Sequence, residues 1–173
     1  MTSYKKHEKN AAKIAGSLAE LCDEHGVRVA VAESLTGGKI SSQLAAAPGS
    51  GSWFAGGVVA YSSEVKHRLL KVPRGSVISQ TSVEAMARSV CSLMGADAAV
   101  AASGAGGPTS QDGQEPGTTW IAVLVADEVQ SELHRFRGDP INILSNTEER
   151  ALAMLLEALQ KRYDNMPKQT STS

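Results

Sequence analysis

The stretch Val29-Ala30-Val31-Ala32-Glu33-Ser34-Leu35-Thr36-Gly37-Gly38 constrains this chain more than any other. A short apolar run stops at two polar residues, passes through a Thr and a glycine pair, and continues as an amphipathic segment from Lys39 to Ala47. That is the pattern of a buried strand, a tight loop and a helix start. A strand that is apolar at nearly every position belongs inside a sheet covered on both faces. The free N–H groups of the first helical turn then point at whatever occupies the loop, and Ser34 stands in the middle of it.

The rest of the chain supplies the layers that such a strand requires. Residues 8–25 read as a helix with Ile14, Leu18, Leu21 and Cys22 at helical spacing, closed by Gly26. Pro48-Gly49-Ser50-Gly51-Ser52 reads as a turn, and Trp53 to Tyr61 as a second strand. Within that strand Gly56-Gly57 marks a close approach by another backbone or a ligand. A short helix over about 63–70 carries Lys66, and a longer one runs to Met94 from a cap at Ser79 or Thr81. Asp97 to Ala102 is a further apolar strand running into Ser103-Gly104-Ala105-Gly106-Gly107-Pro108. Thr109 to Pro116 has no apolar side chain and is expected to be exposed. Thr118 to Ala126 and Ser131 to Arg137 form an antiparallel pair, and Thr147 to Tyr163 a last helix. This order predicts a single-domain α/β fold, a three-layer α/β/α sandwich around a mixed, mostly parallel sheet. The expected domain covers 8–163, with a polar N-terminal tail at 1–7 and a disordered tail at 164–173. Strand ends on one side of such a sheet share a site, so the loops 33–38 and 103–108 are expected to converge.

Composition narrows the function classes. With 173 residues and a formal net charge of −1, the chain lacks the basic excess of a nucleic-acid binder. No apolar run is long enough to cross a bilayer, and the N-terminus lacks the apolar core of a signal peptide. The expectation is a soluble cytoplasmic protein without membrane or nucleic-acid partners. Cys22 and Cys91 read as small buried hydrophobes, and the four histidines are scattered.

The chemistry these residues permit centres on Ser34. A serine needs a base to act as a nucleophile, and no Ser-His-acid arrangement is readable here. Tyr61 and Lys66 offer the alternative. If residues 62–66 turn into a helix, both side chains can face the first loop. A buried Lys66 would have a lowered pKa and could accept the proton directly or through Tyr61. Backbone N–H groups at Gly37-Gly38 could hold an oxyanion. Blander readings stand beside these: Ser34 or Thr36 as a helix cap, Tyr61 as a core aromatic, Lys66 as a solvated helix residue, and 104–107 as a simple turn.

At this point the chain resembles the CinA C-terminal domain family. The resemblance rests on Ala32-Glu33-Ser34-Leu35-Thr36-Gly37-Gly38, on Gly56-Gly57-Val58-Val59-Ala60-Tyr61-Ser62 with Lys66, and on Val77-Ile78-Ser79 leading to Ala85-Met86-Ala87. Ser103-Gly104-Ala105-Gly106-Gly107-Pro108 and Pro116-Gly117-Thr118 complete it. It implies a three-layer sandwich and, as in the family's best-described members, hydrolysis of the carboxamide of nicotinamide mononucleotide to nicotinate mononucleotide and ammonia, without metal or cofactor. It also implies a homodimer or larger homo-oligomer. Carried over by position, Ser34 is the nucleophile with Tyr61 and Lys66 as activating partners. Glu33, Thr36, Gly37, Gly38, Ser103, Gly104, Ala105, Gly106 and Arg137 are the residues expected at the substrate.

The sequence departs from the family pattern in three places. Ser103 and Gly106 stand where the loop usually has Thr and Ala. Glu115-Pro116-Gly117-Thr118 replaces Lys-Pro-x-Gly-Thr. Gly138-Asp139-Pro140 stands where the family often has Gly-Asp-Arg, leaving Arg137 or Arg135 to take up a substrate phosphate. The competing expectations are an amidase with another small amide as substrate, a catalytically silent CinA-like protein that binds a nucleotide or a partner, and a scaffold whose glycine loops are only turns.

Overall fold

The computed structural model describes residues 2–164. Its elements in chain order are α1 (Ser3–His25), β1 (Val29–Glu33), α2 (Lys39–Ala45), α3 (Ser50–Trp53), β2 (Phe54–Val59), α4 (Ser63–Leu69), α5 (Gln80–Met94), β3 (Ala98–Gly104), β4 (Thr118–Val125), β5 (Glu128–Arg135) and α6 (Pro140–Tyr163). The sheet order is β2-β1-β3-β4-β5. The pairs β1–β2 and β1–β3 are parallel, while β3–β4 and β4–β5 are antiparallel. Four strands therefore point one way and β4 alone is reversed, which is the mixed sheet expected.

Period-two alternation sorts the core into two layers. Val29 and Val31 of β1, Val100 of β3 and Ile121 and Val123 of β4 pack against α1, α2 and α6. Ala30, Ala32, Ala99, Ala101 and Ala122 face the opposite layer, where α5 brings Val83, Met86, Ala87 and Val90. Large side chains fill the first layer. Alanines on the second face leave room for α5 to lie close to the sheet. All of β1 and β3 is buried, as their unbroken apolar runs required. Cys22 and Cys91 are buried free thiols, and burial pushes Cys22 up to about 12.

Several boundaries move for physical reasons. Helix α1 begins at Ser3 and so takes in most of the expected polar tail, because its first turns are anchored: Glu8 accepts from Lys39 at 2.7 Å, and His7 pairs with Glu149. Helix α6 begins at Pro140, seven residues before the expected start. Asp139 caps it, accepting from Asn142 N at 3.0 Å, and proline fits the first helical position, where no N–H partner exists to lose. The turn at 50–53 is a single helical turn, α3. Ser79, not Thr81, caps α5. Ser103 and Gly104 lie inside β3 and pair with Trp120 and Thr119. The visitor at Gly57 is α2: a Cβ there would meet Ser41 Oγ at 2.3 Å. Of the expected C-terminal tail, all but Asp164 lies outside the described residues.

Candidate active site

Ser34 follows β1 directly and is 3% exposed. Its N–H donates to the Ala102 carbonyl at 3.1 Å, which ties the loop to the end of β3, while its carbonyl accepts from Gly37 N at 3.0 Å. The chain then passes through two left-handed residues, Gly37 (φ 59°) and Gly38 (φ 106°), a reversal that glycine makes without steric cost. The helix cap is neither Ser34 nor Thr36. It is the carboxylate of Glu33, fully buried, which accepts from Gly38 N at 3.2 Å, Ile40 N at 3.0 Å, Ser41 N at 2.9 Å and Thr36 Oγ1 at 2.7 Å. A negative charge at a helix N-terminus is favoured by the free N–H groups and by the helix dipole.

This clamp engages several groups of the expected site. The amides of Gly37 and Gly38, expected to hold an oxyanion, are already engaged by the Ser34 carbonyl and by Glu33. Glu33 and Thr36, expected at the substrate, spend their polar groups on each other and on α2. Among the described residues, the loop amides with neither a backbone nor a Glu33 partner are those of Leu35 and Thr36.

Lys66 reaches the same end of the sheet from the neighbouring strand. Ala60 N donates to the Glu33 carbonyl at 2.8 Å, which continues the β1–β2 pairing past β2. Ser62 then starts α4 by accepting from Val65 N at 3.3 Å. Lys66 is 1% exposed, not the solvated residue of the bland reading. Its ammonium donates to the Tyr61 carbonyl at a long 3.4 Å and forms no carboxylate ion pair among the described residues. Burial pushes its pKa below the ordinary lysine value, opposed by the charge of Asp112. Tyr61 is 66% exposed, so it is no core aromatic, and the group it offers Lys66 is its backbone carbonyl rather than its ring.

The glycine-rich loop converges on Ser34 as expected, but few of its groups are free. Ser103 Oγ donates to the Val77 carbonyl at 2.6 Å. Gly104 is required by packing, since a Cβ would lie 2.7 Å from the Thr118 carbonyl. Ala105 N is bonded to the Thr118 carbonyl at 2.9 Å. Gly106 abuts the nucleophile loop: a Cβ built there would lie 3.6 Å from Leu35 Cβ and 3.4 Å from Leu144 of α6. Arg137 is exposed just past the end of β5, and β5 ends beside the start of β4 and so at this same end of the sheet. A separate cleft of about 330 Å³, lined by Val125, Glu128 and Arg162 among others, lies at the other end of β4.

The sequence reading passed over Asp112. Its carboxylate accepts from Ser76 Oγ at 2.6 Å, Val77 N at 2.8 Å and Ile78 N at 3.2 Å. The available signal was the Asp112-Gly113 turn pair in an otherwise featureless polar segment.

Comparisons with known proteins bear on the family and the fold. The model of the CinA C-terminal domain matches residues 11–159. A nicotinamide-nucleotide amidohydrolase PncC from Pseudomonas putida is 39% identical over 150 residues, 83% of this chain and 94% of that protein. A CinA-like protein from Geobacter metallireducens is 36% identical over 149 residues, and this chain spans 36% of its length. The crystal structure of a competence or damage-inducible protein from Enterobacter asburiae superposes with a TM-score of 0.83 at 32% identity, covering 86% of this chain and 98% of that one. Several curated relatives are thus nearly three times as long as the region they share with this chain, but the Pseudomonas protein has the same extent. By fold, by its ordered motifs and by the span of the match, the chain belongs to the CinA C-terminal domain family.

Proposed function

We propose that this chain is an amidohydrolase that cleaves the carboxamide of a nicotinamide nucleotide, with Ser34 as nucleophile and Lys66 as base. The observation that carries the reading is the buried Lys66 ammonium, which follows a strand extension paired to the Glu33 carbonyl next to Ser34 and forms no carboxylate ion pair among the described residues. A lysine whose charge is poorly compensated gives up its proton at lower pH and becomes a competent base. The name and matching extent of the Pseudomonas relative support the substrate class.

In this mechanism Lys66 Nζ takes the proton from Ser34 Oγ as the oxygen attacks the carboxamide carbon. The amides of Leu35 and Thr36 receive the oxyanion. The C–N bond breaks, the amine leaves as ammonia with the proton returned by Lys66, and the acyl group remains as an ester on Ser34. Water then attacks the ester carbon, gives its proton to Lys66, and releases the carboxylate as Ser34 Oγ regains a proton. Tyr61 contributes its carbonyl, which positions Lys66. Glu33 keeps the loop in shape from below, and Arg137 takes the substrate phosphate at the rim.

The test is ammonia release from nicotinamide mononucleotide by the purified protein beside Ser34→Ala. Release by the wild type that falls by about 10³-fold or more in the variant supports the reading. A second reading, a protein that binds the nucleotide without turnover, is favoured by Asp139 and Pro140. Both are committed to starting α6, and Pro140 stands where the family often supplies an arginine. It predicts a ligand-induced rise in Tm without ammonia. Release from nicotinamide riboside but not from the mononucleotide would assign the enzyme a phosphate-free substrate.

A further inference from the structure

Residues 105–117 join β3 to β4 as a strap with two fixed feet. Ala105 N donates to the Thr118 carbonyl at 2.9 Å, Gly117 N to the Ala105 carbonyl at 2.8 Å, and Phe136 N to the Gly117 carbonyl at 3.0 Å. Gly117 is left-handed (φ 89°), and a Cβ there would run into the Phe136 carbonyl, so this foot requires glycine. Between the feet, Thr109 to Glu115 carries no apolar side chain, and all of that stretch but Gln114 is exposed, so apolar burial does not hold it down. Gln111 and Gln114 exchange backbone hydrogen bonds at 3.0 and 2.9 Å. The turn between them passes through left-handed Asp112 (φ 52°) and Gly113 (φ 71°), the conformation that closes a two-residue hairpin.

One side chain fastens the tip of this hairpin. Asp112 Oδ2 accepts from Ser76 Oγ at 2.6 Å, Val77 N at 2.8 Å and Ile78 N at 3.2 Å. Among the described residues, no other hydrogen bond ties 106–114 to the rest of the chain. The strap crosses the end of the sheet from one layer to the other. At its start, a Cβ on Gly106 would lie 3.6 Å from Leu35 Cβ, in the layer of α1, α2 and α6. Its tip rests on Val77 and Ile78, in the layer of α5. Between these supports lies the end of β3, where Ala102 accepts from Ser34 N and Ser103 donates to the Val77 carbonyl. We propose that the 106–116 strap walls the mouth of the Ser34 site and that Asp112 is its latch, a positioning residue whose hold keeps the strap closed over bound substrate. Asp112 is itself exposed, so the latch can open without disturbing the core. The proposal rests on Ser34 being the nucleophile and adds what closes its site.

Two variants test the latch from its two sides. Asp112→Ala removes the carboxylate, while Ser76→Ala removes one donor and leaves the strap's own sequence intact. Hydrogen exchange at the Gln111 and Gln114 amides reads the opening directly and needs no turnover. Exchange is expected to quicken about tenfold or more in Asp112→Ala and by less in Ser76→Ala, with the Tm unchanged in both. Kinetics on nicotinamide mononucleotide read the consequence. KM is expected to rise several-fold with kcat close to that of the wild type, because Ser34 and Lys66 are untouched. Wild-type exchange in Asp112→Ala overturns the latch, and a rise confined to that variant assigns the change to the turn itself and overturns it too. Faster exchange in both variants with an unchanged KM overturns the strap's part in holding substrate. Absence of ammonia release by the wild type would refute the amidase reading instead. The latch would then be decided by exchange, and the wall by whether the nucleotide slows strap exchange in the wild type, no slowing being the result that overturns it.

Discussion

Glu33, at the end of β1, and Lys66, in the first turns of α4, are both charged side chains withdrawn from solvent at the same end of the sheet. Their surroundings differ in kind. Glu33 receives four hydrogen bonds, three from backbone amides that α2 would otherwise leave unpaired. Lys66 has three N–H donors and one long contact to a carbonyl. A buried charge with full hydrogen bonding serves the fold, because desolvating it is offset locally. A buried charge with too few partners is a cost to the fold, and such costs gather where a group must change its proton. The contrast separates the residue that shapes the loop from the one that works in it.

The comparison can be broken most sharply at Glu33. Glu33→Ala strands three backbone amides and a hydroxyl in the interior and is expected to lose about 3–5 kcal/mol of stability in urea unfolding. A loss under about 1 kcal/mol would mean that the clamp is dispensable.

Glu148 sharpens it, as a buried carboxylate treated like Lys66 rather than like Glu33. It is 2% exposed, its Oε2 accepts no hydrogen bond among the described residues, and Lys39 Nζ stands 3.5 Å away in a charge contact. Burial pushes its carboxyl up to about 7 despite Lys39. The folded value lies above that of an unfolded glutamate, so its contribution is complete below about 4.5 and is lost as pH rises through about 7. Wild-type stability should therefore fall by up to about 3 kcal/mol across that window. Glu148→Gln should flatten the profile and be the more stable protein at pH 8, as read from paired urea curves at pH 5 and pH 8. Parallel profiles would place Glu148 with the satisfied charges.

The smallest effect belongs to Thr36→Val, which removes one of the four donors to Glu33 and should cost about 1 kcal/mol. Thermal unfolding beside Thr36→Ser, which keeps the donor, isolates that bond. Equal losses in the two would assign the effect to packing instead.

The scaffold was legible because its signals are local. Val29 to Ala32 is apolar without interruption, and only a strand covered on both faces suits it. Residues 140–146 hid the start of α6, where Ile141, Ile143 and Leu144 give too little periodicity, and the Asp139-Pro140 cap was the only notice. The convergence of the Ser34 and glycine loops followed from strand direction, and the contact between Gly106 and Leu35 realises it. What the residues do there was less legible. Gly37 and Gly38 offered amides that the Ser34 carbonyl and the Glu33 carboxylate had already taken. Lys66 lies among Glu64, His67 and Arg68, a run that reads as a solvated face, yet Lys66 is buried. Asp112 fastens the 109–116 segment to residues 76–78 through contacts that no spacing in the sequence encodes.

The measurement that bears most directly on the contrast is Lys66→Met, with Tm and ammonia release from nicotinamide mononucleotide recorded on the same preparation. The folded pKa of Lys66 is depressed, so its ammonium weighs on the native state at every pH below the ordinary lysine range, and the cost lapses only as pH rises toward that range. Replacing it with an apolar side chain of similar length should raise Tm at pH 7 while ammonia release disappears. A variant that is less stable than the wild type, or one that still releases ammonia, would contradict the assignment of Lys66 as a charge kept for chemistry.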